Sequence, residues 1–138
     1  MDMQNAFQNL NWLAVIAAAV SAFVLGGLWY SPLLFAKRWM KESGVTEESA
    51  KNTNMLKLFG LSFLLSLVAS FFLAMFIGPE AGAGFGALAG FMAGLGWVFT
   101  FIGIIYLFER KTLAHFLINS LYSVVALTIM GFILGIWK

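Results

Sequence analysis

The sequence predicts an all-α integral membrane protein, a four-helix transmembrane bundle with short hairpin connections. Three observations carry that prediction. The first is composition: 62% of residues are hydrophobic and only 10% are charged, against about 45–50% and about 25% in soluble domains. So few charges leave much of the surface to a lipid solvent. The second is a set of four charge-free runs, from Met3 to Ala36, Leu58 to Pro79, Ala81 to Phe108 and Thr112 to Trp137. Each exceeds the roughly 20 residues that cross a bilayer, and a charge at the centre would cost about 2.5–3.5 kcal/mol. The third is brevity between runs. Gly78-Pro79-Glu80-Ala81-Gly82 joins the second to the third, and Glu109-Arg110-Lys111 the third to the fourth. Such short turns call for antiparallel neighbours.

These runs set the spans at about residues 10–31, 57–78, 83–108 and 113–137, within a single transmembrane domain of 138 residues. The first run is not read as a cleaved secretory signal. Asp2 precedes it without a positive charge, and Trp29, Tyr30 and Pro32 follow it where small residues would mark a cleavage site. The sizeable polar loop, about residues 36–56, lies between spans one and two. Ser31-Pro32 reads as the cap and first position of a helical piece running to about Glu42 and stopping at Gly44, or else as a kink in span one. Thr46, followed by Glu47 and Glu48, reads as the start of the helix that becomes span two.

Charge sets the expected orientation. Lys37, Arg38, Lys41, Lys51, Lys57, Arg110 and Lys111 share one side, and Lys138 alone lies on the other. Seven against one makes the two basic loops cytoplasmic, so both termini face outward across an inner membrane. The net charge of +2 gives no case for nucleic acid. The lipid bilayer is the expected partner, with anionic lipid at Lys37, Arg38 and Lys41. No cysteine, one histidine and six acids leave no material for a disulfide, a metal site or an evident cofactor, and no catalytic motif stands out. An enzyme is not expected.

Helices in lipid gain little hydrophobic attraction for one another, so small residues that admit close backbone approach do the packing. Span one carries Ala14, Ala18, Ala22 and Gly26 at four-residue spacing, and span two Ser62, Ser66, Ser70 and Ala74. Span three carries Gly82, Gly86, Gly90 and Gly94, three overlapping GxxxG units, and span four Gly131 and Gly135. The stripe on span three is expected to build a homo-oligomer or a docking face, with closure of the monomer as the alternative. Trp12, Trp29, Tyr30, Trp39 and Trp137 lie near span ends, as an aromatic belt does.

Polar residues at membrane depth mark the candidate site. His115, Asn119 and Tyr122 recur at i, i+4 and i+7 on one face of span four, with Tyr106 and Glu109 just across the hairpin. A small molecule, ion or lipid could bind there. The serine stripe of span two is read as a packing surface.

A family resemblance joins these residues. Asn11-Trp12, Gly26, Trp29-Tyr30-Ser31-Pro32, Phe35, Lys37 and Trp39, then Tyr106-Leu107-Phe108-Glu109, Leu117-Ile118-Asn119, Tyr122, Met130-Gly131, Gly135 and Trp137 resemble the bacterial family known as domain of unknown function 1761. The resemblance covers nearly the whole chain in order. It implies a small inner-membrane protein of about four spans and no particular activity, and it adds Tyr30 and Ser31 to the candidate site. One departure lies in the last hairpin, where the family has a glycine and a proline at the positions of Arg110 and Thr112. The turn is therefore expected to be built differently.

Overall fold

A computed structural model describes residues 2–137. Helix α1 (Met3–Gln8) lies across the start of the chain, capped by the Asp2 carboxylate on the amides of Gln4 and Asn5. Asn11 then starts α2 (Trp12–Trp29) by accepting from the Ala14 amide. After a turn come two short helices, α3 (Ala36–Ser43) and α4 (Glu47–Lys51). Helix α5 (Met55–Ile77) is the second span. The third is continuous but not uniform: α6 (Ala83–Ala93), a π-helical segment over Gly94–Phe99, then α7 (Thr100–Phe108). Helix α8 (Leu113–Ile136) completes the set. Four helices are thus long and apolar enough to cross a membrane, and the described residues hold no strand. Large apolar side chains cover the outside, Leu65, Phe72 and Phe101 among them. That is the inverse of a water-soluble surface, and lipid is the solvent that suits it.

The loop between the first two spans differs from expectation in two places. The helical piece after span one begins at Ala36, because residues 32–35 form turns rather than a first helical turn. It ends as expected, with Gly44 in the left-handed region at φ +79°. Thr46 does start a helix, through a capping box with Ser49. That helix stops at Lys51, and span two starts afresh under a new cap, Asn54.

Packing is organised around α2 and α8. Helix α2 lies between α5 and α8, and span three packs chiefly on α8. Along α2 the small stripe does what its spacing suggests: Ala14, Ala18 and Ala22 are buried, and Ser70 of α5 reaches across to donate to the Val15 carbonyl at 2.7 Å. Ser62 and Ser66 instead bond carbonyls of their own helix. The core is completed by Leu73, Ile77, Met130 and Leu134.

The glycine stripe of span three is covered from within the chain. A Cβ on Gly86 would overlap the Gly131 carbonyl, one on Gly90 the Leu127 carbonyl, and one on Gly94 would lie 2.8 Å from Val124 Cα. In return, Cβ atoms on Gly131 and Gly135 would overlap the carbonyls of Gly86 and Gly82. Backbone therefore meets backbone along the whole contact. This corrects the expectation that the stripe forms a subunit or docking interface: span four occupies it, and any association of copies must use another face. Gly82 contributes its carbonyl, since a Cβ there would meet nothing within 4 Å.

The π segment was not foreseen. The Thr100 hydroxyl bonds the carbonyls of both Gly96 and Trp97 at 2.9 Å, which satisfies the acceptors that the wider turn loosens. Its geometric effect is a change of phase. Twelve residues of uniform α-helix would leave Tyr106 about a third of a turn away from the face of Gly94. Both nonetheless meet α8.

The last hairpin explains the departure noted in the sequence. Arg110 has φ +57°, in the left-handed region where glycine is unstrained and other residues lie about 1–2 kcal/mol higher. Thr112, at φ −73°, has a backbone that proline would also accept, and its hydroxyl caps α8 by accepting from the His115 amide at 3.1 Å.

Candidate functional site

At the basic end of the bundle, polar side chains from three spans meet. The Tyr30 hydroxyl, at the end of α2, donates to Asn119 Oδ1 at 2.7 Å. Asn119 Nδ2 donates in turn to the Tyr106 hydroxyl at 2.7 Å. One amide thus ties spans one and three to span four, and the bond from its nitrogen is short for an N–H donor. Tyr122, one turn deeper, donates to the Ala22 carbonyl at 2.9 Å, and its ring lies 5.6 Å from that of Tyr30. Gly26 makes room for it, since a Cβ there would lie 3.1 Å from the Tyr122 hydroxyl. The Trp29 indole donates to the Ile118 carbonyl at 2.9 Å. Trp29 and Tyr30 therefore face the bundle interior rather than an aromatic belt.

His115 sits one turn before Asn119 on the same face. It is 6% exposed, and its ring lies 5.1 Å from that of Tyr106. Its Nδ1 is fully enclosed and has no hydrogen-bond partner among the described residues. Buried polar atoms are nearly always paired, so this one marks a place where something is missing. The Tyr106 hydroxyl is in a related position: it accepts from Asn119, and no described acceptor takes its own proton.

The cluster is bordered on the loop side by α3, which packs on α8. The Trp39 ring lies 5.5 Å from Tyr30. Glu42 holds two partners: Oε1 accepts from Arg38 Nε at 2.8 Å, and Oε2 from the Thr112 hydroxyl at 2.6 Å. The Thr112 hydroxyl beside it, and then the Arg38 guanidinium, hold the Glu42 carboxyl below the usual 4.5. A carboxyl depressed in the folded state stabilises the fold above its unfolded value, and that contribution disappears as pH falls through the folded one. The melting-temperature advantage of the wild type over Glu42→Gln should therefore be level above about pH 5 and shrink progressively below pH 4.5. A difference that stays level through pH 3 would show that the fold does not favour the ionised Glu42 carboxylate.

Of the residues singled out in the sequence, Tyr30, Tyr106, His115, Asn119 and Tyr122 come together. Ser31 does not join them, because its hydroxyl turns back onto the Leu28 carbonyl at 2.6 Å. Nor does Glu109, whose side chain is exposed and forms no hydrogen bond or ion pair among the described residues. Lys37, Arg38 and Lys41 lie on α3, and all three are exposed. Sequence reasoning missed three participants. Thr112 was recognisable as a cap, between a charged turn and an apolar run. Glu42 follows Arg38 by four residues, the spacing of a helical ion pair. Nothing in the sequence distinguishes the inward indole of Trp29 from a belt tryptophan.

Two hollows occur away from the cluster. A crevice of about 180 Å³ at the opposite end is lined by Asn9, Asn11, Pro79 and Trp137 among others. A largely apolar groove between spans two and three is lined by Phe76, Met92 and Trp97.

Four apolar helices around an inward polar cluster define a multi-pass membrane protein. Its family is shown as well: the model for the family described as protein of unknown function (DUF1761) matches residues 13–135, and the chain belongs to that family. No curated protein and no solved structure matches it.

Proposed function

We propose that this protein binds a small molecule, ion or lipid in the polar cluster at the basic end of the bundle. One observation carries the reading: the chain from Tyr30 through Asn119 to Tyr106 ends beside His115, whose buried Nδ1 is unpartnered. A purely structural network in lipid would be expected to close on itself, because each unsatisfied polar group there is costly. Native mass spectrometry of the protein released gently from membranes tests this. The wild type should carry a reproducible extra mass that Asn119→Leu loses and Glu109→Gln keeps, since Glu109 lies outside the cluster. Retention of that mass by Asn119→Leu would sink the reading.

The setting proposed for this site is an inner membrane, with the basic loops cytoplasmic. Seven of eight lysines and arginines on one side support it, and anionic lipid at Lys37, Arg38 and Lys41 would match the same face. The chain has no cysteine, so single-cysteine labelling is clean. In intact bacterial cells with a permeable outer membrane, an impermeant maleimide should label Glu80→Cys and not Lys41→Cys. The opposite pattern would invert the topology.

A further inference from the structure

Building on the binding reading, we infer that the ligand presents a neutral hydroxyl group, which accepts a hydrogen bond from Tyr106 and donates one to His115 Nδ1. The argument starts from what the cluster leaves unused. Among the described residues the Tyr106 proton has no acceptor and His115 Nδ1 has no hydrogen-bond partner, on neighbouring side chains of spans three and four. In the neutral tautomer that carries its proton on Nε2, Nδ1 is an acceptor awaiting a donor. One hydroxyl supplies both functions at once, and a carbonyl, ether or ammonium supplies only one.

Charge narrows the class further. Tyr30, Tyr106, Asn119 and Tyr122 are neutral, and the nearby Glu42 carboxylate already holds Arg38 and Thr112. Glu109, Lys111 and Arg110 lie exposed on the hairpin outside the cluster. An ionic group lodged beside His115 would therefore lack a buried counter-charge, at a heavy desolvation cost. Strongly exposed Leu107, Phe108 and Leu113 surround this end of the bundle. An apolar tail attached to the hydroxyl would lie against them.

Nδ1 is sealed in this structure, so entry requires the elements around the start of α8 to part. Helix α3 covers that start through the Trp39 ring on Tyr30 and one carboxylate, with Glu42 on Thr112 three residues before His115.

His115 is the sole histidine, so histidine labelled with nitrogen-15 gives one ring to follow by NMR. The protein is placed in dioleoylphosphatidylcholine nanodiscs, whose lipid has no hydrogen-bond donor, and titrated separately with dioleoylglycerol, glycerol and dioleoylphosphatidate. The expected result is an Nδ1 resonance that starts at the position of a free acceptor and moves upfield with dioleoylglycerol. Tyr106→Phe should weaken that response about five- to tenfold, the loss of one hydrogen bond. A response to glycerol as well would assign a soluble alcohol rather than a lipid and still uphold the hydroxyl. A response to phosphatidate alone would overturn the hydroxyl assignment while leaving the binding site standing. An Nδ1 already hydrogen-bonded in the unliganded nanodisc and moved by no probe would mean a bound water only, and the inference falls. If in addition the native protein carries no extra mass, the binding reading falls with it.

Discussion

Replacing Gly90 by alanine is expected to destabilise the protein by at least about 2 kcal/mol, although alanine is the better helix former by roughly 1 kcal/mol. The added methyl would overlap the Leu127 carbonyl and crowd the Thr128 Cα. Both are backbone of α8, so no rotamer change relieves the overlap and spans three and four must separate. Overpacking of a tight contact costs about 1–3 kcal/mol and sometimes more, and a backbone-on-backbone overlap belongs at the upper end. Gly60 is the control, because a Cβ there meets nothing within 4 Å. Gly60→Ala should be neutral or stabilising by up to about 1 kcal/mol. Unfolding of both variants in mixed detergent micelles reads the difference. Equal effects at the two positions would mean that the glycine stripe is not the contact between these spans.

Asn119→Leu is expected to cost about 1–3 kcal/mol, by taking away two interhelical bonds that lie at 2.7 Å. Leucine keeps the branched shape of asparagine but is bulkier, so the cost combines the lost hydrogen bonds with some repacking. Such bonds average only about 0.6 kcal/mol in membranes and reach about 1.7. The loss of two bonds at once and the two stranded phenols argue for the upper half of that range. A cycle with Tyr30→Phe separates network from bulk effects. Once Asn119 is gone, Tyr30→Phe should cost almost nothing, because its acceptor has already been removed. Additive costs would show that the two side chains act independently.

The sequence foreshadowed the architecture well because lipid imposes few alternatives. Charge-free runs of bilayer length can satisfy their backbone only as helices, so counting charges located all four. Four of the five polar residues that converge were also visible, since a histidine, an asparagine and tyrosines in such runs are conspicuous, and the family resemblance added Tyr30. What each helix turns toward was not visible. A run of Gly82, Gly86, Gly90 and Gly94 declares a close contact without naming its partner, and the partner is α8. Trp29 sits where belt tryptophans sit, yet its indole bonds the Ile118 carbonyl. Glu42 and Thr112 are 70 residues apart, and no periodicity relates a loop helix to a hairpin. The π segment depends on how α6 and α7 dock against one helix, a tertiary demand that local propensity does not encode.

The most direct test of a binding site at the basic end is photocrosslinking in native membranes. Phe116 lies beside Tyr106, with ring centroids 6.5 Å apart, and Leu64 faces outward on span two at 54% exposure. Benzoylphenylalanine at each position is irradiated before extraction, and the adducts are weighed. A binding site at the cluster predicts one dominant adduct mass at position 116 that is absent at position 64. The same mixture of bulk phospholipid adducts at both positions would contradict it.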